Sequence, residues 1–216
     1  MKVVIVGLPQ AGQQHLFSLL AGLSMEQVGQ RAFEVQPGSV SVRDQRIDKL
    51  SSIFNPKKTI FAKIDFLLLP DFQLQGPAKT TIFNELKNSD EICWVSRLDT
   101  AEKDIANFIS ELIIFDLMLI EKRLENIEKE KKHKKVEGRE KEEELLSICK
   151  IELEKEKPLR ELVFNEEQQK ALRTYQFLTL KPIVLVINVP EDKISDNKIA
   201  AKFNFPAITL SAELEE

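Results

Sequence analysis

The sequence feature that most constrains the fold is an apolar run that leads into a glycine loop and then into a helical pattern. Residues 3–6 read Val-Val-Ile-Val, a continuous apolar segment typical of a strand buried on both faces of a sheet. A loop bounded by Gly7 and Gly12 follows, and apolar residues then recur at helical spacing from Leu16 onwards. In this order of elements, backbone N–H groups at a helix N-terminus can bind phosphate. The same two glycines are also compatible with an ordinary strand-to-helix turn.

Alternating strands and helices along the rest of the chain indicate the fold class. Apolar or alternating segments predict strands at 40–42, 66–69, 92–95, 183–187 and 207–210. Helical patterns fall at 47–53, 79–88, 166–175 and 194–203. Residues 23–37 have few apolar anchors and are predicted to form a loop. The alternation predicts an α/β domain with a mostly parallel sheet and helices on both faces.

A long helical segment interrupts this alternation. The pattern is helical almost throughout 101–158, with a break at Gly138, and its apolar residues step by four and three in a heptad seam. We therefore predict an antiparallel helical hairpin with coiled-coil packing over this segment. The remaining residues, 1–100 and 159–216, then form one P-loop domain. The seam predicts shape and carries no chemistry of its own.

The composition indicates which partners and which cellular compartment to expect. The chain has 216 residues, of which 43% are hydrophobic, and its net charge is −4. This mild acidity gives no overall reason to expect a nucleic acid or an anionic membrane as partner. No segment reaches the roughly 18 consecutive apolar residues of a membrane span. The two cysteines, Cys93 and Cys149, are far apart in sequence and indicate a reducing compartment. We therefore expect a cytoplasmic protein with no membrane partner.

The glycine loop lacks the residues that complete a Walker A motif. That motif continues with lysine and then serine or threonine, whereas this chain has Gln13 and Gln14. A glutamine amide donates a hydrogen bond but brings no positive charge to the β- and γ-phosphates, and Gln14 has no hydroxyl to ligate magnesium. The candidate phosphate-binding residues are Gly7, Leu8, Pro9, Gln10, Ala11, Gly12, Gln13 and Gln14.

Several motifs spread over the chain carry a family resemblance. The most specific are Asn188-Val189-Pro190-Glu191 and the segment Phe177-Leu178-Thr179-Leu180-Lys181-Pro182 that precedes it. Further matches lie at Gly7-Leu8-Pro9, Gly12 with Leu16-Phe17, residues 46–50, Pro56-Lys57-Lys58, residues 116–125 and residues 159–173. These motifs resemble those of the YchF family, whose Asn-x-x-Glu replaces the Asn-Lys-x-Asp of ordinary GTPases. The resemblance implies a Ras-like P-loop NTPase fold with an inserted helical hairpin.

The positions at which this chain departs from the family pattern are those that the family uses for magnesium and for the γ-phosphate. Where the family has the Asp-x-x-Gly of its second switch, this chain has Leu68-Leu69-Pro70-Asp71. Leu68 thus replaces the aspartate that orients magnesium, and Asp71 replaces the glycine that meets the γ-phosphate and would repel that phosphate. The first switch lacks its threonine, and Gly76 alone represents the glycine-rich second switch. Because phosphoryl transfer depends on positioning and charge stabilisation, we expect no conventional hydrolysis.

The resemblance also suggests roles for the other candidate site residues. Asn188 would hold the base or only brace the phosphate loop, and Glu191 would shift preference towards adenine. His15 replaces a threonine in the first helical turn, where it would either contact a phosphate or lie exposed. Ser211 and Ala212 resemble the last base-contacting loop. The expected ligand is ATP or GTP bound without magnesium, and neither a metal site nor a catalytic residue is predicted.

Two features bear on partners. Lys129, Lys131, Lys132, Lys134 and Lys135, with His133, form a basic cluster at the predicted hairpin tip. The cluster either binds ribosomal or other RNA phosphates or is a solvated tip. The family continues with a final helix and a β-rich TGS domain, which the 216 residues lack, either naturally or because they are a piece of a longer protein. Without that helix, apolar sheet surface beside the first and last strands predicts self-association or a protein partner.

Three functions follow as hypotheses. The first is a degenerate YchF-like protein that binds a purine nucleotide without hydrolysing it and serves as a binding or regulatory module. The second is an active ATPase or GTPase that uses unusual residues. The third is a ribosome- or protein-binding scaffold that binds no nucleotide. Titration with ATP, GTP, ADP and GDP, with and without magnesium, separates them.

Overall fold

The computed structural model describes residues 1–72, 78–133, 139–194 and 196–212. In these residues the strands are β1 (Lys2–Gly7), β2 (Gln36–Ser41), β3 (Lys63–Leu68), β4 (Glu91–Arg97), β5 (Ile183–Asn188) and β6 (Ala207–Leu210). They form one sheet in the order β2-β3-β1-β4-β5-β6. Strand β2 is antiparallel to β3, and every other neighbouring pair is parallel. The predicted α/β class with a mostly parallel sheet is therefore confirmed.

Helices connect the strands. They are α1 (Gln13–Ala21), α2 (Met25–Gly29), α3 (Gln45–Phe54), α4 (Ala78–Lys87), α5 (Ala101–His133), α6 (Arg139–Glu154), α7 (Glu166–Arg173) and α8 (Asn197–Ala200). Short 3-10 helices occur at Leu159–Glu161, Leu178–Leu180 and Glu191–Lys193. None of the helices within the described ranges combines the length and apolar character that crossing a membrane requires. Helix α8 is much shorter than the predicted helix at 194–203.

The segment 23–37 is the main departure from the predicted secondary structure. Helix α2 forms there because the Ser24 hydroxyl accepts a hydrogen bond from the backbone N–H of Gln27, whose side chain accepts one from the Ser24 backbone. Buried Gln36 then donates through Nε2 to the carbonyl oxygens of Val28 at 3.0 Å and Arg31 at 2.9 Å. Polar contacts thus order a segment with few apolar anchors, so apolar periodicity missed it.

The core of the sheet lies around its central strands. Val3, Val4, Ile5 and Val6 are each at most 7% exposed, and four consecutive buried residues mean that both faces of β1 are covered. Strand β1 itself therefore exposes little apolar surface. Strand β6 is different, because it lies at the edge of the sheet and Ile208 is 53% exposed there.

The chain divides into two compact units, one comprising Met1–Ala101 with Ile183–Glu216 and the other Glu102–Pro182. The second unit is larger than the predicted hairpin because residues 159–182 pack with the helices. Buried Asp116 of α5 accepts hydrogen bonds from the backbone N–H groups of Leu178 at 3.0 Å and Thr179 at 2.8 Å, and from the Thr179 hydroxyl at 2.7 Å. This carboxylate fastens the segment before β5 to the long helix.

Helices α5 and α6 pack against each other through the predicted apolar seam. Ile113, Ile120 and Ile127 on α5 share one buried cluster with Leu146, Cys149 and Leu153 on α6. The antiparallel direction agrees with the ion pair between Glu121 and Lys150 at 3.0 Å. Coiled-coil packing in the strict sense stays a prediction. The break at Gly138, with Lys134 and Lys135 of the basic cluster, lies outside the described residues.

A polar cluster joins the two long helices to the segment after α7. Glu142 accepts hydrogen bonds from Arg123 at 2.8 and 3.1 Å, from Arg139 at 2.7 Å and from the hydroxyl of Tyr175. Burial by itself raises the pKa of Glu142, but these donors together lower the pKa to about 2. The cluster therefore holds an ionised carboxylate between two guanidinium groups.

Candidate functional site

The candidate site lies where the carboxyl ends of the parallel strands meet. Gly7 ends β1, Asn188 ends β5, and Ser211 directly follows β6. Asp71 comes three residues after the end of β3, the strand next to β1. Ligands of open α/β sheets bind at this edge, in the crevice where the strand order reverses. The fold therefore brings the predicted residues of four distant segments to one place.

The loop between β1 and α1 has the geometry of a phosphate loop. The backbone N–H of Ala11 donates to the carbonyl of Leu8 at 3.1 Å, which closes a tight turn. Gly12 has φ 103°, a conformation that favours glycine, and it precedes an α1 N-terminus with no side-chain cap. The first N–H groups of a helix lack partners within the helix and carry partial positive charge. The loop thus presents these donors at its open side.

A cavity of about 500 Å³ opens over this helix N-terminus, and we call it the loop cavity. It is lined by Gln10, Gly12, Gln13, Gln14, His15, Asp71, Asn188 and Ala212. Seven of these eight residues were predicted as binding residues, and Asp71 was predicted to oppose a terminal phosphate. Among the lining residues that the structure describes, none is a lysine or an arginine.

Gln13 and Asp71 close one end of the loop cavity. The Nε2 group of Gln13 donates a hydrogen bond to Oδ1 of Asp71 at 2.5 Å. Gln13 is only 2% exposed, and its Oε1 atom is buried with no hydrogen-bond partner among the described residues. One N–H of the amide that stands where a phosphate-binding lysine is expected therefore already donates to a carboxylate of the same chain.

The segment that carries Asp71 is anchored on both sides. The backbone N–H of Leu69 donates to the carbonyl of Ile5 at 3.0 Å, and that of Phe72 donates to the carbonyl of Gly7 at 2.8 Å. The Phe72 ring is 1% exposed and meets the Trp94 ring edge-on at 5.6 Å between centroids. These contacts fix Asp71 beside the loop. Gly76, the remaining switch glycine, lies outside the described residues.

Asn188 holds the loop from the other side. Its Oδ1 atom accepts a hydrogen bond from the backbone N–H of Ala212 at 3.1 Å. Its Nδ2 atom packs so closely on Gly12 that a Cβ added there would lie 2.7 Å away. Asn188 therefore links the first loop to the loop after β6. This contact supports the bracing role that the sequence left open beside a base-binding role.

A second cavity adjoins the loop cavity, and we call it the strand-end cavity. It has a volume of about 610 Å³ and is lined by Gln10, Arg97, Leu98, Asp99, Asn188, Val189, Pro190 and Lys193. The two cavities share Gln10 and Asn188. Leu98, Val189 and Pro190 give the second one an apolar part. The sequence analysis did not single out the residues after β4, although they follow a buried parallel strand, which is itself a signal for ligand contact.

The other predicted residues occupy different positions. Leu8, Pro9 and Glu191 line neither cavity, and Glu191 is exposed at the start of its 3-10 helix. Ala11 and Ser211 are buried, and Gly7 is enclosed so tightly that an added Cβ would lie 2.5 Å from the Val95 carbonyl oxygen. The structure thus assigns these residues to the walls and backbone of the site. The roles expected for them stay predictions.

The residues present do not fit the magnesium ion that phosphate loops of this kind hold. Magnesium takes oxygen ligands from a hydroxyl and a carboxylate together with the phosphates. Gln14 has no hydroxyl, and Leu68 is an apolar side chain that is 2% exposed. The one carboxylate that lines the loop cavity, among residues with described positions, is hydrogen-bonded to Gln13.

The sheet, the loop and the helix N-terminus together define a P-loop protein with a nucleotide-binding fold. The fold agrees with the structure of the Schizosaccharomyces pombe YchF GTPase, with a TM-score of 0.77 and 20% identity over 100% of this chain and 66% of that one. The sequence is 32% identical to the ribosome-binding ATPase YchF of Bacillus subtilis over 97% of the chain. It is 28% identical to YchF of Escherichia coli O157:H7 over 99% of the chain. The chain belongs to the YchF family.

The relatives are longer than this chain. The 216 residues span 63% of the length of the Bacillus subtilis protein and 66% of the Escherichia coli protein. A comparison with models of protein families finds no match. The family resemblance inferred from the Asn188-Val189-Pro190-Glu191 motif is confirmed by these whole-chain similarities.

Proposed function

We propose that this protein binds a purine nucleotide without hydrolysing it and acts in the cytoplasm as a binding or regulatory module. One observation carries the proposal: the uncapped N-terminus of α1 opens into the loop cavity, which adjoins the partly apolar strand-end cavity. Phosphates suit the N–H groups of the first cavity, and a flat base suits Leu98 and Pro190 in the second. Cavities of this size are typical of small-ligand sites.

The absence of hydrolysis is proposed from the side chains that line the loop cavity. Stabilisation of a phosphoryl-transfer transition state requires fixed positive charge near the transferred group. One N–H of the Gln13 amide donates to Asp71, Gln14 lacks the hydroxyl of a Walker A loop, and Leu68 has no oxygen for a metal ion. Phosphate release from ATP and GTP should therefore equal a protein-free control, with or without magnesium. Release that depends on Gln13 or His15 would favour the active-enzyme alternative instead.

Nucleotide binding is tested with a charge placed at the helix N-terminus. Gln14 lies in the first turn of α1 and lines the loop cavity. Gln14→Glu adds a negative charge that suits a helix N-terminus but opposes phosphate, so the fold should be retained and affinity should fall about tenfold or more. Gln45→Glu makes the same change in the first turn of α3, away from both cavities, and should leave binding unchanged. Calorimetry with ADP, GDP, ATP and GTP measures the affinities.

The outcome of that titration also decides between binding module and scaffold. If none of the four nucleotides binds the wild-type chain, the scaffold alternative is preferred. If Gln14→Glu and Gln45→Glu weaken binding equally, the ligand does not place its phosphates at α1.

Ribosome association is a second candidate function, because the similar curated proteins are described as ribosome-binding ATPases. Lys129 is an exposed residue of the basic cluster on α5. If the cluster binds ribosomal RNA, Lys129→Glu should reduce co-sedimentation with ribosomes, whereas Lys202→Glu on the other unit should not. Equal co-sedimentation of both variants and the wild type would remove the cluster from consideration.

Self-association is proposed at the exposed edge of the sheet. Among the described residues strand β6 is an edge strand of the sheet, and Ile208 is 53% exposed on it. Edges of this kind tend to pair with another chain. Light scattering should show a larger species that Ile208→Lys disperses, while Val163→Lys, at a fully exposed position of the helical unit, does not. A monomer at every concentration would rule the proposal out.

A further inference from the structure

The position of Asp71 has a consequence for which nucleotide fits the proposed site. The strands lie in the order β3-β1-β4-β5, so residues after β4 and β5 stand on one side of the phosphate loop and Asp71 on the other. The strand-end cavity follows β4 and β5 and meets the loop cavity at Gln10 and Asn188. A nucleotide with its base in the strand-end cavity must therefore extend its phosphates across the end of β1 towards Asp71.

Asp71 is a fixed negative charge at the far end of this path. Its carboxylate is held by Gln13, and Leu69 and Phe72 on either side are hydrogen-bonded to β1. The Phe72 ring beside it is buried against Trp94. No arginine or lysine stands among the residues known to line the loop cavity, so no fixed cation of that lining balances the carboxylate. Each added phosphate brings more negative charge closer to it.

The side chain of Gln13 also makes this end of the cavity unfavourable for an added phosphate. The Nε2 group at this position carries two N–H donors, and one of them donates to Asp71 instead of to a terminal phosphate. The other polar atom of Gln13, Oε1, is a buried acceptor without a hydrogen-bond partner among the described residues, and an acceptor has no proton to offer a phosphate oxygen. The end of the cavity beside β3 therefore combines a repelling carboxylate with an engaged amide. The backbone N–H groups of α1, which suit the phosphates nearer the base, are not affected.

We infer that Asp71 makes this site selective for a nucleoside diphosphate over the corresponding triphosphate. The inference rests on the proposed nucleotide binding and adds which phosphate chain the site accepts. Asp71 acts as an internal anion at the place that a third phosphate would approach. Removal of its charge should therefore change triphosphate affinity far more than diphosphate affinity.

The test compares ADP with ATP, and GDP with GTP, by calorimetry in buffer that contains a chelator. The wild-type chain should bind each diphosphate about tenfold or more tightly than its triphosphate, since like charges in close contact are strongly unfavourable. Asp71→Asn keeps an acceptor for Gln13 and removes the charge. It should tighten triphosphate binding by about tenfold and diphosphate binding by less than about threefold. Asp48→Asn, which removes an exposed carboxylate of α3, is the matched control and should change neither.

The possible outcomes separate the inference from the proposed function. Selectivity that disappears in Asp71→Asn and persists in Asp48→Asn supports the inference. If wild-type protein binds diphosphate and triphosphate equally, or if Asp71→Asn tightens both equally, the inference is wrong while nucleotide binding stands. If no nucleotide binds to the wild type or to Asp71→Asn, the proposed function fails and the inference fails with it. Equal melting temperatures of the three proteins confirm that they are folded.

Discussion

Glu142 in the helical unit and Asp71 at the loop cavity are both carboxylates that accept hydrogen bonds from another element, but their donors differ. Glu142 accepts from the guanidinium groups of Arg123 and Arg139 and from the Tyr175 hydroxyl. Asp71 accepts from the neutral amide of Gln13. The charge of Glu142 is thus balanced inside the fold, whereas no fixed cation among the described lining of the cavity balances that of Asp71.

This difference indicates what each region does. A carboxylate whose charge is balanced by cations of the same fold holds helices together and exerts little electrostatic effect on a ligand. A carboxylate whose partner among the described residues is a neutral amide acts on whatever charge enters the cavity. Substitutions in the helical unit should therefore appear mainly in the free energy of unfolding, and substitutions at the cavity mainly in ligand affinity. The predictions below test that division, beginning with the largest expected change.

The largest effect is expected at Asp116, the buried carboxylate that fastens residues 178–179 to α5. Asp116→Ala leaves two backbone N–H groups and one hydroxyl without their acceptor, so the free energy of unfolding should fall by about 3–5 kcal/mol. Urea unfolding measures the loss. Glu125→Ala at an exposed position of the same helix should stay within about 0.5 kcal/mol. A loss below about 1 kcal/mol at Asp116 would mean that the segment is held by apolar packing alone.

Gly12→Ala is an expected exception to this division, because it strains the backbone of the loop itself. The new Cβ would lie 2.7 Å from the Asn188 amide nitrogen, and φ at this position is 103°. We expect a loss of about 2–3 kcal/mol in unfolding free energy, from strain at both places. Gly22 has φ 65° with nothing within 4 Å of an added Cβ, so Gly22→Ala should cost only about 1 kcal/mol. Equal losses of unfolding free energy in Gly12→Ala and Gly22→Ala would show that the Asn188 side chain moves away from the added Cβ at little cost.

The fold was largely predictable from the sequence because its signals are local. Continuous apolar runs identified the buried strands β1, β4 and β5, and the heptad seam identified α5 and α6. Helix α2 was missed, since a capping box and the amide of Gln36 form it with little apolar pattern. The attachment of residues 159–182 to the helical unit was missed as well. It depends on Asp116, whose partners are more than 60 residues away in sequence.

The residues of the candidate site could be predicted from the sequence, but the contact between Gln13 and Asp71 could not. The family pattern drew attention to Gln13 and Asp71 as separate substitutions and to Asn188 as a match. The sequence could not indicate that Gln13 donates to Asp71, because the two residues meet only when β3 pairs with β1. The strand-end cavity was missed for the same reason, since it joins residues that follow β4 and β5.

The pH dependence of the free energy of unfolding tests the role of Glu142, the carboxylate whose charge is balanced by guanidinium groups. The folded-state pKa of Glu142 is lowered to about 2 from an ordinary value of 4.5. Its ionised form therefore stabilises the fold above pH 4.5, and this contribution is lost as the pH falls towards 2. Glu142→Gln should be less stable than wild type at pH 7 by about 1–2 kcal/mol, allowing for solvent screening of a side chain that is 21% exposed.

Unfolding by urea at several pH values should show the gap between Glu142→Gln and wild type closing between pH 4.5 and pH 2. Glu144→Gln, at an exposed position of the same helix, should show no such closing gap. A gap that stays constant with pH would mean that hydrogen bonding, which glutamine partly retains, matters more at Glu142 than charge.

The smallest effect is expected from Gln13→Lys, and the reason lies in the comparison itself. A lysine at this position would restore the charge that phosphate loops use, but Asp71 stands within hydrogen-bond distance of the side chain it replaces. We expect the ammonium group to pair with Asp71, which gives the second region the same cation-balanced carboxylate that the first one has. Affinity for ADP, which Asp71 affects little, should then rise by less than about threefold. When Gln13→Lys is combined with Asp71→Asn, the ammonium group is released for the phosphates, and affinity for ADP should rise by about tenfold or more, which exceeds the sum of the two single changes. Calorimetry on the two single variants and the double variant completes a thermodynamic cycle. Strictly additive changes in the free energy of binding would show that the two side chains do not interact. The charge in this cavity would then not depend on a contact between residue 13 and residue 71.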